Sequence, residues 1–315
     1  MKIIFMGTPA AASTVLAELL KAKHEVLAVV TQPDRPQGRG QKIKFPPVKE
    51  LALKMGLPVE QPEKIKGNQV FVSWLKSWQP EVIVVVAYGR LLPPEILAIP
   101  PYGCLNVHAS LLPKYRGAAP VQWALLNGEL ATGITIMRVE ERLDAGAVMR
   151  QEKVKIETDD NAVTLTKKLF DRGAGLLLEA LAQLREGRAD FEQQDETAVS
   201  YAPAIGKESG AIDWRKPAVE ISNRIRALIP WPMAYTYYRG KTVKIWQAEL
   251  FPLSLEAKPQ LPGRLEQIVK DSGFVVATGS ANLLITEIQP EGGKRMKATD
   301  FVNGHHLKAG DIFPS

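Results

Sequence analysis

Two side chains able to act on a carbonyl group stand two residues apart at the end of an apolar run. They are Asn106 and His108, in the stretch Cys104–Gly117, CLNVHASLLPKYRG. Strand side chains alternate, so Leu105 and Val107 face one side and Asn106 and His108 the other. An amide and an imidazole on one face can aim N–H donors at an oxygen that is gaining charge, and an imidazole can also carry a proton. A single histidine on a strand is more often a hydrogen-bonded structural residue; the same-face amide strengthens the chemical reading. Ser110–Gly117 cannot continue the strand, because it holds Pro113, the cations Lys114 and Arg116, and Gly117. It reads as a loop leaving the strand end, where ligands bind in open α/β sheets. A carboxylate, Asp144, follows in Leu143-Asp144-Ala145-Gly146, where a second strand-like run, Thr132–Glu140, gives out. Taken alone, that aspartate reads as a turn residue.

The elements that must position these groups can be traced from the apolar pattern. Lys2–Met6 reads as a buried strand, Ala10–Lys21 as a helix and Glu25–Thr31 as a second strand, a β-turn-α-β opening of Rossmann-like kind. The opening lacks G-x-G-x-x-G, so a dinucleotide site is not supported. Val82–Ala87 is a further buried strand, ended by Tyr88-Gly89-Arg90. Trp74 and Trp78, four apart on one helix face, suit core packing better than base stacking. Ala118–Leu126 reads as a helix, Ala147–Val154 as a strand, and Thr158–Asp160 starts a long helix toward Gly187 in which Gly173 and Gly175 permit a bend. Arg188–Gly206 loses helical periodicity. A helix over Pro217–Leu228 follows, then five short strand-like runs between Ala234 and Gln289, the pattern of a small oligonucleotide-binding barrel. The expected fold is α/β: a Rossmann-like N-terminal domain over 1–189, a linker over 190–206, and a smaller C-terminal β-barrel (OB-like) domain over 207–315.

Composition sets bounds. The chain has 315 residues, a net charge of +6, one cysteine and four histidines. No internal disulfide is possible, Cys104 reads as a small buried apolar side chain, and a reducing cytoplasmic setting fits. A dedicated zinc site is not expected. No secretory signal is evident, and no apolar run approaches the roughly 20 residues needed to span a bilayer. Gln32–Lys49 sets five cations (Arg35, Arg39, Lys42, Lys44, Lys49) against one acid, Asp34. Such a segment is either a solvated loop or an electrostatic arm that orders on a polyanion.

The run NVHASLLPKYRGAAP, residues 106–120, resembles the signature of the folate-dependent formyltransferases, in which Asn-x-His precedes a Ser-Leu-Leu-Pro loop. Members often carry Gly where this chain has Ala109. The resemblance extends over nearly the whole chain and includes the basic insertion, the Leu-Asp-x-Gly pattern, the linker and the barrel. It implies transfer of a formyl group from 10-formyltetrahydrofolate, as donor co-substrate, to the amino group of initiator methionyl-tRNA for translation initiation. It implies Asn106, His108 and Asp144 as catalytic residues, with the proton-carrying roles of His108 and Asp144 left undivided. It implies a pterin pocket lined by Ser110, Leu111, Leu112 and Pro113 with Arg90, Leu91, Leu92 and Val139. Members acting on initiator tRNA carry the basic insertion and those acting on small amines lack it, which makes Arg35, Arg39, Lys42 and Lys44 the expected RNA contacts, Arg39 foremost. No metal is implied. The expected partners are initiator methionyl-tRNA and the folate, with no membrane, and the expected state is a monomer. The alternatives are a sugar-amine formyltransferase that needs no basic arm, a formyltetrahydrofolate hydrolase that uses water, and an RNA-binding protein that tolerates loss of His108.

Overall fold

The computed structural model describes residues 1–37, 42–252 and 261–314. By contacts the chain divides into two units, one of Met1–Pro120, Ala131–Lys155 and Thr166–Pro203, the other of Val121–Leu130, Ile156–Leu165 and Ala204–Ser315. Of the expected linker, residues 190–203 thus group with the first unit and 204–206 with the second. Among the described residues no helix is long and apolar enough to cross a membrane.

The chain runs through β1 (Lys2–Gly7), α1 (Ala10–Lys21), β2 (Glu25–Val30), β3 (Arg35–Gln37), β4 (Lys42–Lys44), α2 (Pro47–Lys54) and β5 (Val59–Glu60). It continues with α3 (Gln69–Ser77), β6 (Val82–Val86), α4 (Pro94–Leu97), β7 (Cys104–His108), α5 (Pro120–Leu126), β8 (Ala131–Arg138), β9 (Val148–Lys155) and α6 (Ala162–Arg185). A seven-stranded sheet forms in the order β5-β2-β1-β6-β7-β8-β9. Ile3 to Met6 of β1 and the Val-Ile-Val-Val-Val of β6 are buried throughout, as a parallel strand covered on both faces requires. On one face Ile4, Met6, Ile83, Val85 and Cys104 pack against Phe71, Val72 and Leu75 of α3, with Trp74 and Trp78 partly buried on the same cluster. The tryptophans serve packing, Trp74 stacking on Phe71 at 6.0 Å between centroids.

Two features were not foreseen. First, β7 pairs in parallel with β6 but antiparallel with β8, and β8 and β9 form an antiparallel pair. The end of β8 therefore lies beside Leu105, its partner being Arg138, while His108 pairs with Thr135. Second, α6 stays helical through Gly173. A Cβ there would lie 2.8 Å from Ile134 Cγ1 and 2.9 Å from Val107 Cγ1, so this glycine permits close approach of the helix to the strands.

The second unit adds α7 (Ala218–Ala227), β10 (Ala234–Tyr238), β11 (Lys241–Phe251), β12 (Leu265–Val269), β13 (Gly273–Ala277), β14 (Asn282–Pro290), β15 (Met296–Lys297) and α8 (Ala298–His305). Its antiparallel sheet has the order β10-β11-β14-β13-β12, with β15 on β14. All five expected strands are present, and single bridges, Ala211 to Tyr235 and Arg264 to Ile312, extend the outer strands. Trp214, Ile221, Ile225, Phe274, Ile285, Phe301 and Phe313 share its core. The sequence reading missed α8.

Candidate active site

Cys104, Asn106 and His108 share one face of β7, and Cys104 is sunk in the core below. The ladder to β6 runs from Cys104 to Asn106, so His108 extends past it at the strand's carboxyl end. Asp144 comes from the loop that joins β8 to β9. Its carboxylate oxygen Oδ1 accepts from Asn106 Nδ2 at 3.3 Å and Oδ2 from the Gly117 backbone N–H at 3.0 Å. His108 Nδ1 lies 3.7 Å from Asp144 Oδ2. The amide, imidazole and carboxylate expected from the sequence therefore meet, although the strand order differs from a purely parallel one.

His108 is 6% exposed, and its Nε2 stands 3.0 Å from the Tyr115 carbonyl oxygen. A carbonyl oxygen only accepts, so Nε2 carries a hydrogen, and Nδ1 is the ring nitrogen on the Asp144 side. Asp144 has a φ of 50° and Tyr115 of 62°. Left-handed backbone at such residues costs on the order of 1–3 kcal/mol and persists only where the surroundings hold it.

Those surroundings are mostly residues the sequence reading passed over. Thr135 Oγ1 donates to the Ser110 carbonyl at 2.6 Å, and Gln151 Nε2 donates to the Leu112 carbonyl at 2.7 Å, pinning the loop after β7 to β8 and β9. From the expected linker, Ser200 Oγ accepts from the Tyr115 N–H at 3.0 Å, and the Ser200 and Arg116 carbonyls accept from the Arg116 and Ala202 N–H groups. Gly117 has a φ of 129°, and a Cβ on it would stand 2.6 Å from the Ala202 carbonyl oxygen; only glycine fits. Gln194 Nε2 donates to the Asp144 and Gly146 carbonyls at 2.9 and 2.8 Å. Arg116, 1% exposed, donates to Gln194 Oε1 and to Glu196. The Arg116 and Arg142 guanidiniums hold the Glu196 carboxyl below the ordinary carboxylate range. Composition marks 188–206 as irregular polar chain, and no local pattern singles out Gln194 or Ser200.

The expected pocket residues differ in exposure. Ser110 is fully buried, its hydroxyl donating to the Lys114 carbonyl at 2.6 Å, and Leu112 is buried beside it. Leu111 and Pro113 are half-buried. Leu92 is buried in the core that Val139 also packs against, whereas Leu91 is 60% exposed. Arg90 Nε donates to Gln32 Oε1 and its Nη1 to the Glu63 carbonyl. Burial pushes the Tyr88 hydroxyl and the Cys104 thiol each up to about 12.

In the basic segment β3 and β4 form a hairpin, Arg35 opposite Lys44, and both side chains are exposed. Arg39 lies outside the described residues, and of Lys42 only the backbone, in β4, is described. Lys49 is not available to a ligand in the same way: its Nζ donates to Asp34 Oδ2 at 2.5 Å and to Gln61 Oε1 at 2.7 Å, and it sits over the Phe45 ring. Hydrogen bonds from Lys49 and Gln61 hold the Asp34 carboxyl below its ordinary range, the Lys49 bond most.

Residues 1–181 match the family described as formyl transferase, and residues 204–306 match the formyl transferase C-terminal domain. A methionyl-tRNA formyltransferase of Caldanaerobacter subterraneus subsp. tengcongensis is 49% identical over 312 residues, covering 99% of each chain. One from Caldicellulosiruptor saccharolyticus is 48% identical over 313 residues, again covering 99% of each. Among solved structures, HypX from Aquifex aeolicus in complex with tetrahydrofolic acid superposes with a TM-score of 0.67 at 17% identity. That match takes in all of this chain and 51% of HypX, so the chain spans about half of that protein, and the likeness is one of fold. The chain belongs to the formyl transferase family, and within it to the methionyl-tRNA formyltransferases.

Proposed function

We propose that the protein transfers the formyl group of 10-formyltetrahydrofolate to the α-amino group of initiator methionyl-tRNA, with Asn106, His108 and Asp144 as the groups that handle the reacting carbonyl. The observation that carries this reading is their convergence, Asn106 Nδ2 at 3.3 Å and His108 Nδ1 at 3.7 Å from the Asp144 carboxylate.

The attacking amine must lose a proton, and the formyl oxygen takes on negative charge as the carbon becomes tetrahedral. Asn106 gives one amide hydrogen to Asp144 and keeps the other for that oxygen. The Tyr115 carbonyl engages His108 Nε2–H, which leaves Nδ1 to accept the proton. Once protonated, Nδ1–H faces both the oxyanion and the Asp144 carboxylate, which stabilises the imidazolium. The same hydrogen can then pass to the departing folate nitrogen. Metal help is not called for in this scheme, since a formyl group on the folate nitrogen is already activated toward amines.

The pterin is expected against the backbone of Ser110, Leu111, Leu112 and Pro113 and the segments Arg90–Leu92 and Val139–Asp144. Exposed Leu91 and Leu143 and half-buried Leu111, Pro113 and Val139 are apolar side chains there with surface to offer. RNA recognition is assigned to Arg35, Arg39, Lys42 and Lys44 on the basic hairpin, together with the domain over 207–315, the chemistry resting with residues 1–189. Initiator tRNA is the acceptor, the enzyme acts as a monomer, and its setting is the cytoplasm, beside the translation machinery.

The test offers the purified protein 10-formyltetrahydrofolate with either methionyl-tRNA or a sugar amine. Formylation of the charged tRNA is expected. Formylation of the sugar amine in its place would sink the acceptor assignment and leave the carbonyl chemistry standing.

A further inference from the structure

Asp144 stands on left-handed backbone in a loop that leaves β8 beside Leu105, not beside His108. Something must bring that loop to the strand end and keep it there. Its side chain is met by Asn106 and the Gly117 N–H. Its main chain is met by one side-chain amide from residue 194. Gln194 Nε2 spends both hydrogens on the carbonyls of Asp144 and Gly146, at 2.9 and 2.8 Å. Gln194 Oε1 accepts from Arg116 Nε at 3.0 Å and Nη2 at 2.8 Å. The amide has one workable orientation, because turning it over would set its oxygen against two carbonyl oxygens and its hydrogens against guanidinium hydrogens. Arg116 belongs to the loop that follows His108, one residue before Gly117. A single amide thus joins the loop bearing Asp144 to the loop that holds the imidazole.

We infer that Gln194 is a positioning residue for the formyl transfer: oriented by the buried Arg116, its side-chain amide fixes the main chain of Asp144 so that the carboxylate meets His108 and Asn106. The inference rests on the role given to Asp144 above. A glutamate in this place would keep an acceptor for Arg116 and lose both donors, which is why an amide is required.

The decisive variant is Gln194→Glu, since it retains the acceptor for Arg116 that ties down residues 190–203 and replaces both donors by a carboxylate oxygen set against the Asp144 and Gly146 carbonyls. Misplacing a reacting group by about 1 Å costs up to roughly a hundredfold. Turnover at saturating substrates is expected to fall roughly ten- to hundredfold, with KM for the folate and for methionyl-tRNA close to the parent and a lower thermal midpoint from the opposed oxygens. Gln194→Met, which loses donors and acceptor alike without adding charge, is expected to lose the same turnover and some stability as well; should Gln194→Glu fail to fold, it decides by the same kinetic criterion. A cycle with Asp144→Ala completes the test. Adding Gln194→Met to Asp144→Ala should cost nothing further in residual turnover, because the amide acts through the carboxylate. Parent-like turnover in a folded Gln194→Glu, or additive losses in the cycle, would overturn the inference. Full turnover in Asp144→Asn would instead overturn the role of Asp144, and the two failures are distinguishable.

Discussion

Around His108, side chains and backbone are tied together by hydrogen bonds of 2.8 to 3.3 Å that draw on β7, the loops after β7 and β8, and residues 194–202. Arg35 and Lys44 stand exposed on a two-stranded hairpin, anchored at its root where Asp34 meets Lys49 and Gln61. Both regions belong to the same unit, and the contrast fits the roles proposed for them. An acid, a base and a donor acting on one carbon lose rate when displaced by an ångström. Point charges facing a phosphate backbone act over a Debye length of about 8–10 Å and tolerate displacement. Backbone strain at Asp144 is therefore sustained by surrounding bonds, while the hairpin needs only a firm base.

That contrast can be broken at its strongest point first. Replacing Asn106, His108 or Asp144 by alanine should lower turnover at least a hundred- to thousandfold, with the fold and the binding of methionyl-tRNA retained. Near-parent turnover in any of the three, measured with a folded variant, would remove that residue from the site. Next comes the support behind the strand. Gly173→Val should cost about 1–3 kcal/mol by overpacking against Ile134 and Val107, read as a lower unfolding midpoint. Pro36→Ala, on the exposed hairpin, should stay within about 0.5 kcal/mol of the parent. Equal costs at the two places would deny the difference in packing.

A smaller effect is expected from the hairpin charges. Arg35→Ala with Lys44→Ala should raise KM for methionyl-tRNA and lessen its salt dependence, by roughly one unit of slope for each phosphate no longer neutralised, leaving KM for the folate alone. Matching losses toward both substrates would argue against an RNA-facing role. The smallest effect concerns Asp34. Its folded-state carboxyl titrates below the ordinary value, so its pairing with Lys49 adds stability that is present above the ordinary carboxylate range and disappears as pH falls through the lowered value. Asp34→Asn should flatten that part of the acid limb of the unfolding curve. An unchanged limb would mean the root of the hairpin contributes no pH-dependent stability.

Much of this molecule can be read from local pattern. The helix over Ala10–Lys21 and the strand over Ala234–Tyr238 match their expected bounds, because apolar spacing and turn residues act within a few positions. The same-face placement of Asn106 and His108 follows from strand geometry alone. Irregular segments were less legible. Residues 190–203 carry no periodicity, yet they bring Gln194 to Asp144 and Ser200 to Tyr115 across 50 and 85 positions of sequence.

The chain's own order of residues thus determined most of the strands and helices, though not α8 or the β3–β4 pair, and which side chains could act on a carbonyl. Only the tertiary structure decided that β8 and β9 run antiparallel, that Gly173 lies against two strands, and that an amide from residue 194 grips the loop of Asp144. The physical reason is range. Periodicity and turn chemistry are properties of neighbouring residues, whereas a hydrogen bond between distant loops exists only once the packed sheet has brought their backbones within about 3 Å.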